Sequence, residues 1–226
     1  MLSTKEFAEW SSKVVLFLHN TSRCDDEKYP QLLFQMGGVG FPTMSYLDAD
    51  GSLLKQVGHV TPVEQLEKAH GELMNWRTLR AEVEKGGDAQ KTKELFLLEL
   101  AMGNRPFAEM HKRRDALSLS ADEQKATEQP LINLQFTEIL RQTPRDQQAI
   151  GGEQFVAMFD AGRIPDTSTE TSFWQYMFEF AAAKENVPLF EKLLAVVKEK
   201  KAGDQRLQRH LSSLEERLAA LKAKKG

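Results

Sequence analysis

The chain has 226 residues, 41% of them hydrophobic and 28% charged, with a formal net charge of −3. That length suits one large domain or two small ones, and the composition is that of an ordinary soluble protein. The charge balance gives the whole molecule no pull toward nucleic acid or an anionic membrane, no run approaches the roughly 18 apolar residues of a membrane span, and a single cysteine excludes an intramolecular disulfide and a cysteine-based zinc site.

The first sixty residues mix short apolar runs with turn signals. Residues 3–10 predict a helix, with Phe7 and Trp10 at i, i+3 spacing. Val14, Val15, Leu16, Phe17 and Leu18 form a continuous apolar run of strand length, the pattern of a strand buried on both faces. A polar loop at 19–24 leads to a predicted short helix over 28–36, which Gly37, Gly38 and Gly40 end. Residues 43–47 and 52–57 flank the turn Asp48, Ala49, Asp50, Gly51 and read as an antiparallel hairpin. Thr61, Pro62 and Glu64 signal a helix start, with Thr61 as N-cap and Pro62 in the first helical position.

Downstream the strand signals stop. A long helix is expected over 62–85, broken by Gly86 and Gly87, with Asp88 capping the next. Further helices are expected near 89–102, 106–117, 121–142, 145–161, 169–185, 188–201 and 204–222. Segments 96–109 and 178–191 align: Phe96 with Phe178, Ala101 with Ala183, Asn104 with Asn186, Pro106 with Pro188 and Glu109 with Glu191. In each, a helix ends and Asn-x-Pro opens the next. The pattern resembles α-hairpin repeats of the tetratricopeptide kind, without their full signature of roughly 34 residues; two unrelated hairpins give the same match.

Gly40, Phe41, Pro42 and Thr43, the hairpin that follows, and a loop holding Cys24 between an apolar run and a helix together resemble a thioredoxin-like domain. The resemblance implies an α/β N-terminal thioredoxin-like domain over 1–75, a small mixed sheet with helices. An all-α helical-hairpin domain over 76–226 would follow it. It also implies a cis-proline loop at Pro42, with Phe41, Pro42 and Thr43 bordering a groove for an extended peptide. The alternative for these three residues is a tight turn ahead of a strand. The family's Cys-x-x-Cys motif is absent, since Cys24 stands alone. Dithiol chemistry needs a second sulfur to resolve the mixed disulfide. Cys24 sits beside Arg23 ahead of a helix, which favours a thiolate, but Asp25, Asp26 and Glu27 oppose it by repulsion.

Other motifs carry little chemistry. His19, His59, His70, His111 and His210 form no ligand pair, so no metal is expected. The Asp48 turn lacks the glycine and glutamate that a calcium loop needs at later positions, and the glycines at 37–40 lack the Lys-Ser/Thr of a phosphate loop. The aromatic segment 173–180 reads as a central buried helix, with an exposed groove for a partner peptide as the alternative. Leu207, Leu211, Leu214, Leu218 and Leu221 make a seam of about two heptads. Packing on the helical domain is favoured for it, with a homodimer through the seam, or through a sheet edge, as the alternative.

The expectation is therefore a non-catalytic thioredoxin-like adaptor fused to a helical interaction domain, binding a protein or peptide and needing no cofactor. No nucleic acid or membrane insertion is expected. The alternative is a monothiol oxidoreductase in which Cys24 attacks a disulfide or peroxide and an external thiol resolves it. The compartment is left open: cytoplasmic by default, exported if a leader peptide has been removed.

Overall fold

A computed structural model describes residues 2–19, 29, 32–36, 38, 42–58, 61–143, 147–167, 170–200 and 205–225. Of the described residues 70% are helical, and the only sheet among them is a two-stranded antiparallel one. The chain divides into two compact units, Met1–Leu131 and Ile132–Gly226.

The first unit begins with α1 (Lys5–Ser11), capped by Thr4, whose hydroxyl accepts from the Phe7 amide at 3.2 Å. A single short turn, α2 (Leu32–Gln35), precedes the hairpin of β1 (Met44–Leu47) and β2 (Leu53–Gly58). The hairpin packs on α3 (Val63–Glu84), which buries Leu66, Ala69, Leu73 and Trp76 along one stripe. The Tyr46 hydroxyl donates to the Leu66 carbonyl at 2.7 Å, Lys55 pairs with Glu72, and Arg77 meets Asp48 at 2.8 Å. Then come α4 (Ala89–Met102), capped by the Asp88 carboxylate at 2.8 Å from the Lys91 amide, and α5 (Phe107–Ala116). The start of α6 (Ala121–Gln142) carries a capping box. The Ser120 amide donates to Glu123 at 2.7 Å and the Glu123 amide to Ser120 Oγ at 3.3 Å.

The second unit takes the end of α6 and adds α7 (Gln148–Asp160), α8 (Glu170–Ala183), α9 (Val187–Lys200) and α10 (Gln205–Lys225). Its core is aromatic. Phe136, Phe155 and Phe173 meet at centroid distances of 5.2 to 6.0 Å, and Phe178 meets Phe190 at 4.8 Å. Helix α7 lies so close to α8 that a Cβ on Gly152 would stand 2.1 Å from the Tyr176 carbonyl oxygen, so only glycine fits there. Leu214 and Leu221 are buried in this core and Leu211 and Leu218 pack against it. The seam's four described side chains thus serve the unit itself, while the Leu207 side chain lies outside the described residues.

This architecture overturns the expected fold class. An α/β thioredoxin-like domain followed by a helical domain is not what the chain builds; it builds a mostly helical protein with one hairpin. The decisive departure is the run at 14–18. It is not a strand, and Val15, Leu16, Phe17 and Leu18 are 97%, 58%, 70% and 89% exposed. A strand buried on both faces needs a neighbouring edge and two covering layers. Here the described hairpin is covered by α3 and α1 around Phe7, Trp10 and Leu66, and the run leaves that cluster at Val14. Without the sheet, the thioredoxin-like reading and its cis-proline loop find no support.

Smaller corrections follow. The helix expected over 28–36 is the four-residue α2, with residues 28, 30 and 31 outside the described set. Thr61 does not cap α3. Its hydroxyl donates to the Val57 carbonyl at 3.0 Å, and Pro62 is the cap residue.

Candidate functional site

Two features stand out in the first unit, one buried and charged, the other exposed and apolar.

The buried one centres on Glu99. Helix α4 presents Leu95, Phe96, Glu99 and Leu100 to the interior, so the i, i+4 geometry that buries the apolar residues buries the carboxylate with them. Its side chain is 3% exposed. Glu99 Oε1 accepts from Trp76 Nε1 on α3 at 3.1 Å and from Arg105 Nη2, in the α4–α5 connection, at 3.1 Å. Glu99 Oε2 accepts from Arg113 Nη1 on α5. Arg80 and Arg105 place their guanidinium carbons 5.4 and 5.9 Å from the Trp76 ring centroid, and Arg113 lies 5.9 Å from that of Phe96. Burial alone would raise the Glu99 carboxyl. The hydrogen bonds from Arg113 and Trp76 and the charges of Arg113 and Arg105 outweigh it and hold the group below the usual glutamate range. The carboxylate is saturated by these partners and ties α3, α4 and α5 together. It is a structural clamp, closed off from solvent by its partners. Sequence reasoning passed over it, although an acid interrupting Leu95, Phe96, Leu97, Leu98 and Leu100 was the visible signal.

The exposed feature is the run Val15, Leu16, Phe17 and Leu18. Val14, just before it, is anchored in the cluster of Phe7, Trp10 and Leu66, to which Met44 and Tyr46 of β1 also belong. Trp10 and Tyr46 meet edge to face at 6.4 Å. Burial around the hairpin pushes the Tyr46 phenol up to about 12, so it stays a neutral hydrogen-bond donor to Leu66. In β1 and β2 the register runs Met44 to Gly58, Ser45 to Gln56, Tyr46 to Lys55 and Leu47 to Leu53. The extra residues, Val57 and Leu54, are both on β2, so β2 is the bulged strand and β1 the regular one. Trp10 Nε1 and Ser45 Oγ are buried without a hydrogen-bond partner among the described residues.

Of the residues the sequence singled out, Cys24 and Phe41 lie outside the described residues. Pro42 is exposed and Thr43 half-buried, and both lead directly into β1. The aromatic segment on α8 is core: Phe173, Trp174, Tyr176, Met177 and Phe178 are all buried. Among the described residues no group of three or more His, Cys, Asp or Glu side chains is placed to hold a metal ion, and no helix is long and apolar enough to cross a membrane.

No protein-family model, curated protein or solved structure matches the chain.

Proposed function

We propose that this chain is a non-catalytic protein-interaction module, a helical adaptor whose docking element is the apolar run at 15–18. One observation carries the reading. Four consecutive large apolar side chains stand in water, whereas the other exposed large apolar residues among those described, Leu2, Tyr29, Met74, Leu97 and Ile150, are scattered along the chain. Scattered exposed apolar residues are ordinary, but a contiguous apolar patch marks an interaction surface. Its composition (two leucines, a valine and a phenylalanine) suits an extended segment that pairs through its backbone and inserts alternate side chains into a partner. Within the first unit, α3 anchors the cluster that holds Val14, and the Glu99 clamp ties α3 to α4 and α5.

The test is affinity capture with the full chain and with Phe17→Asp. Loss of a captured protein in the variant, with far-ultraviolet circular dichroism unchanged, is the expected result. An identical set of captured proteins for both chains removes the reading.

A further inference from the structure

We infer that Pro130 makes α6 a hinge, about which the two units of the chain change orientation. The inference is independent of the docking reading above.

Three observations converge on it. First, α6 is shared between the units: the boundary falls between Leu131 and Ile132, inside the helix. Second, each half of α6 is fastened within its own unit. In the first, Glu123 meets Lys93 of α4 at 3.2 Å, and Thr127 and Leu131 are buried. In the second, Phe136 packs on Phe155 of α7 and Phe173 of α8 at centroid distances of 5.3 and 6.0 Å. Asn133 exchanges two hydrogen bonds with Asp166, at 2.6 and 3.1 Å. Third, the helix is weakest between these fastenings. Pro130 lies in its interior and has no amide N–H, so the Ala126 carbonyl loses its helical donor and the proline ring presses against that same carbonyl. In the same turn the Thr127 hydroxyl donates back to the Gln124 carbonyl at 2.7 Å, a kind of bond that bends helices.

The placement favours a hinge over a strut. A strut between two bodies is stiffest with an unbroken ladder of hydrogen bonds. A proline concentrates bending in one turn and leaves the ladder on either side intact. Each half of α6 then follows its own core, and a few residues around Pro130 absorb the change in backbone angles. Units of one chain ordinarily reorient; the proline at the boundary fixes where this chain does so.

Double electron–electron resonance tests this on the full chain. Spin labels go on Lys112→Cys of α5 and Glu153→Cys of α7, both exposed, in a Cys24→Ser chain. A reference pair inside the first unit, Lys68→Cys with Lys112→Cys, sets the width that packing within one unit gives. The pair across α6 should show a distance distribution about twofold broader than the reference, and Pro130→Ala should remove most of that excess. Glu128→Ala, an exposed position in the same turn, should leave the width as it is. Amide hydrogen exchange on the unaltered chain gives a reading that needs no substitution: amides at 127–133 should exchange about tenfold or more faster than those at 136–140 of the same helix. A distribution across α6 as narrow as the reference overturns the inference, as does a width that Pro130→Ala leaves unchanged in a chain of wild-type circular dichroism. Equal narrowing by Glu128→Ala overturns it too, because helix propensity rather than the missing bond would then set the width. If Pro130→Ala fails to fold, the reference pair and the exchange profile decide, and uniform protection along α6 counts against the hinge.

Discussion

Helices α4 and α5 in the first unit and α8 and α9 in the second form two hairpins from matching sequence, and the match extends into their backbone. Phe96 and Phe178 are both buried, and the turn after each first helix holds a left-handed residue: Gly103, directly after α4, with φ of 64°, and Glu185, at the corresponding position two residues past α8, with φ of 50°. Among the interior positions that differ, one carries a charge. Where α4 buries Glu99, α8 buries Ala181. The consequences spread from there. Glu99 draws Arg105 back onto itself, so Arg105 stays out of the helix and α5 begins only at Phe107, after Pro106. At the corresponding place in the second hairpin Val187 has no such duty and is the first residue of α9, capped by Asn186, whose side-chain oxygen accepts from the Leu189 amide at 3.1 Å. Asn104, the counterpart of Asn186, is left with its side-chain oxygen buried and without a hydrogen-bond partner. One hairpin is held in part by charge centred on Glu99, the other by dry aromatic packing around Phe178 and Phe190.

Forcing the charged solution on the dry hairpin gives the largest expected effect. Ala181→Glu places a carboxylate among Phe178, Phe190 and Leu193 with no guanidinium from the α8–α9 connection to meet it. An unpaired buried charge together with overpacking costs on the order of 5 kcal/mol. Urea unfolding should show the second unit melting at markedly lower denaturant, or already open in water. A wild-type midpoint would mean that α8 can turn this position to solvent and that its packing is looser than the structure shows.

The converse change removes the charge from the hairpin built around it. Glu99→Ala leaves Arg105, Arg113 and the Trp76 indole without their common acceptor, and breaking a buried pair this way costs about 3–5 kcal/mol. The effect depends on pH in a fixed direction. The folded chain holds the Glu99 carboxyl below its unfolded value, so its contribution is complete above the ordinary glutamate range and is lost as pH falls through the depressed folded value. The gap in stability between wild type and Glu99→Ala should therefore narrow in acid. A gap that stays constant with pH would assign the loss to packing alone.

The comparison also shows what the sequence made legible. The helices from α3 to α10 fall within a few residues of their expected bounds, because each carries a 3.6-residue apolar period and most end at Gly or Asn-x-Pro signals. The hairpin was legible from Asp48 to Gly51 for the same local reason. The run at 14–18 misled because a continuous apolar segment states how much surface it would bury and nothing about what stands beside it. Pairing is a property of the whole sheet, and the described residues supply Val14 and no more of that run to the core. The Glu99 clamp was hidden differently. Its four members, at 76, 99, 105 and 113, are brought together only by packing three helices, and no spacing in the sequence encodes that.

The smallest expected effect isolates the backbone from the side-chain chemistry. Both hairpins hold a left-handed residue in the turn after the first helix, and only one of them uses the residue suited to it. A side chain in that region costs about 1–2 kcal/mol, while glycine gives back about 0.4–1 kcal/mol through the freer unfolded chain. Glu185→Gly should therefore stabilise the second unit by about 0.5–1 kcal/mol, read as a higher urea midpoint with an unchanged slope. Gly103→Ala should lower the first unit's stability by about 1 kcal/mol. Opposite signs at equivalent positions are what a shared turn geometry requires. If both substitutions were destabilising, Glu185 would be contributing through its side chain, and the two turns would be alike in φ only.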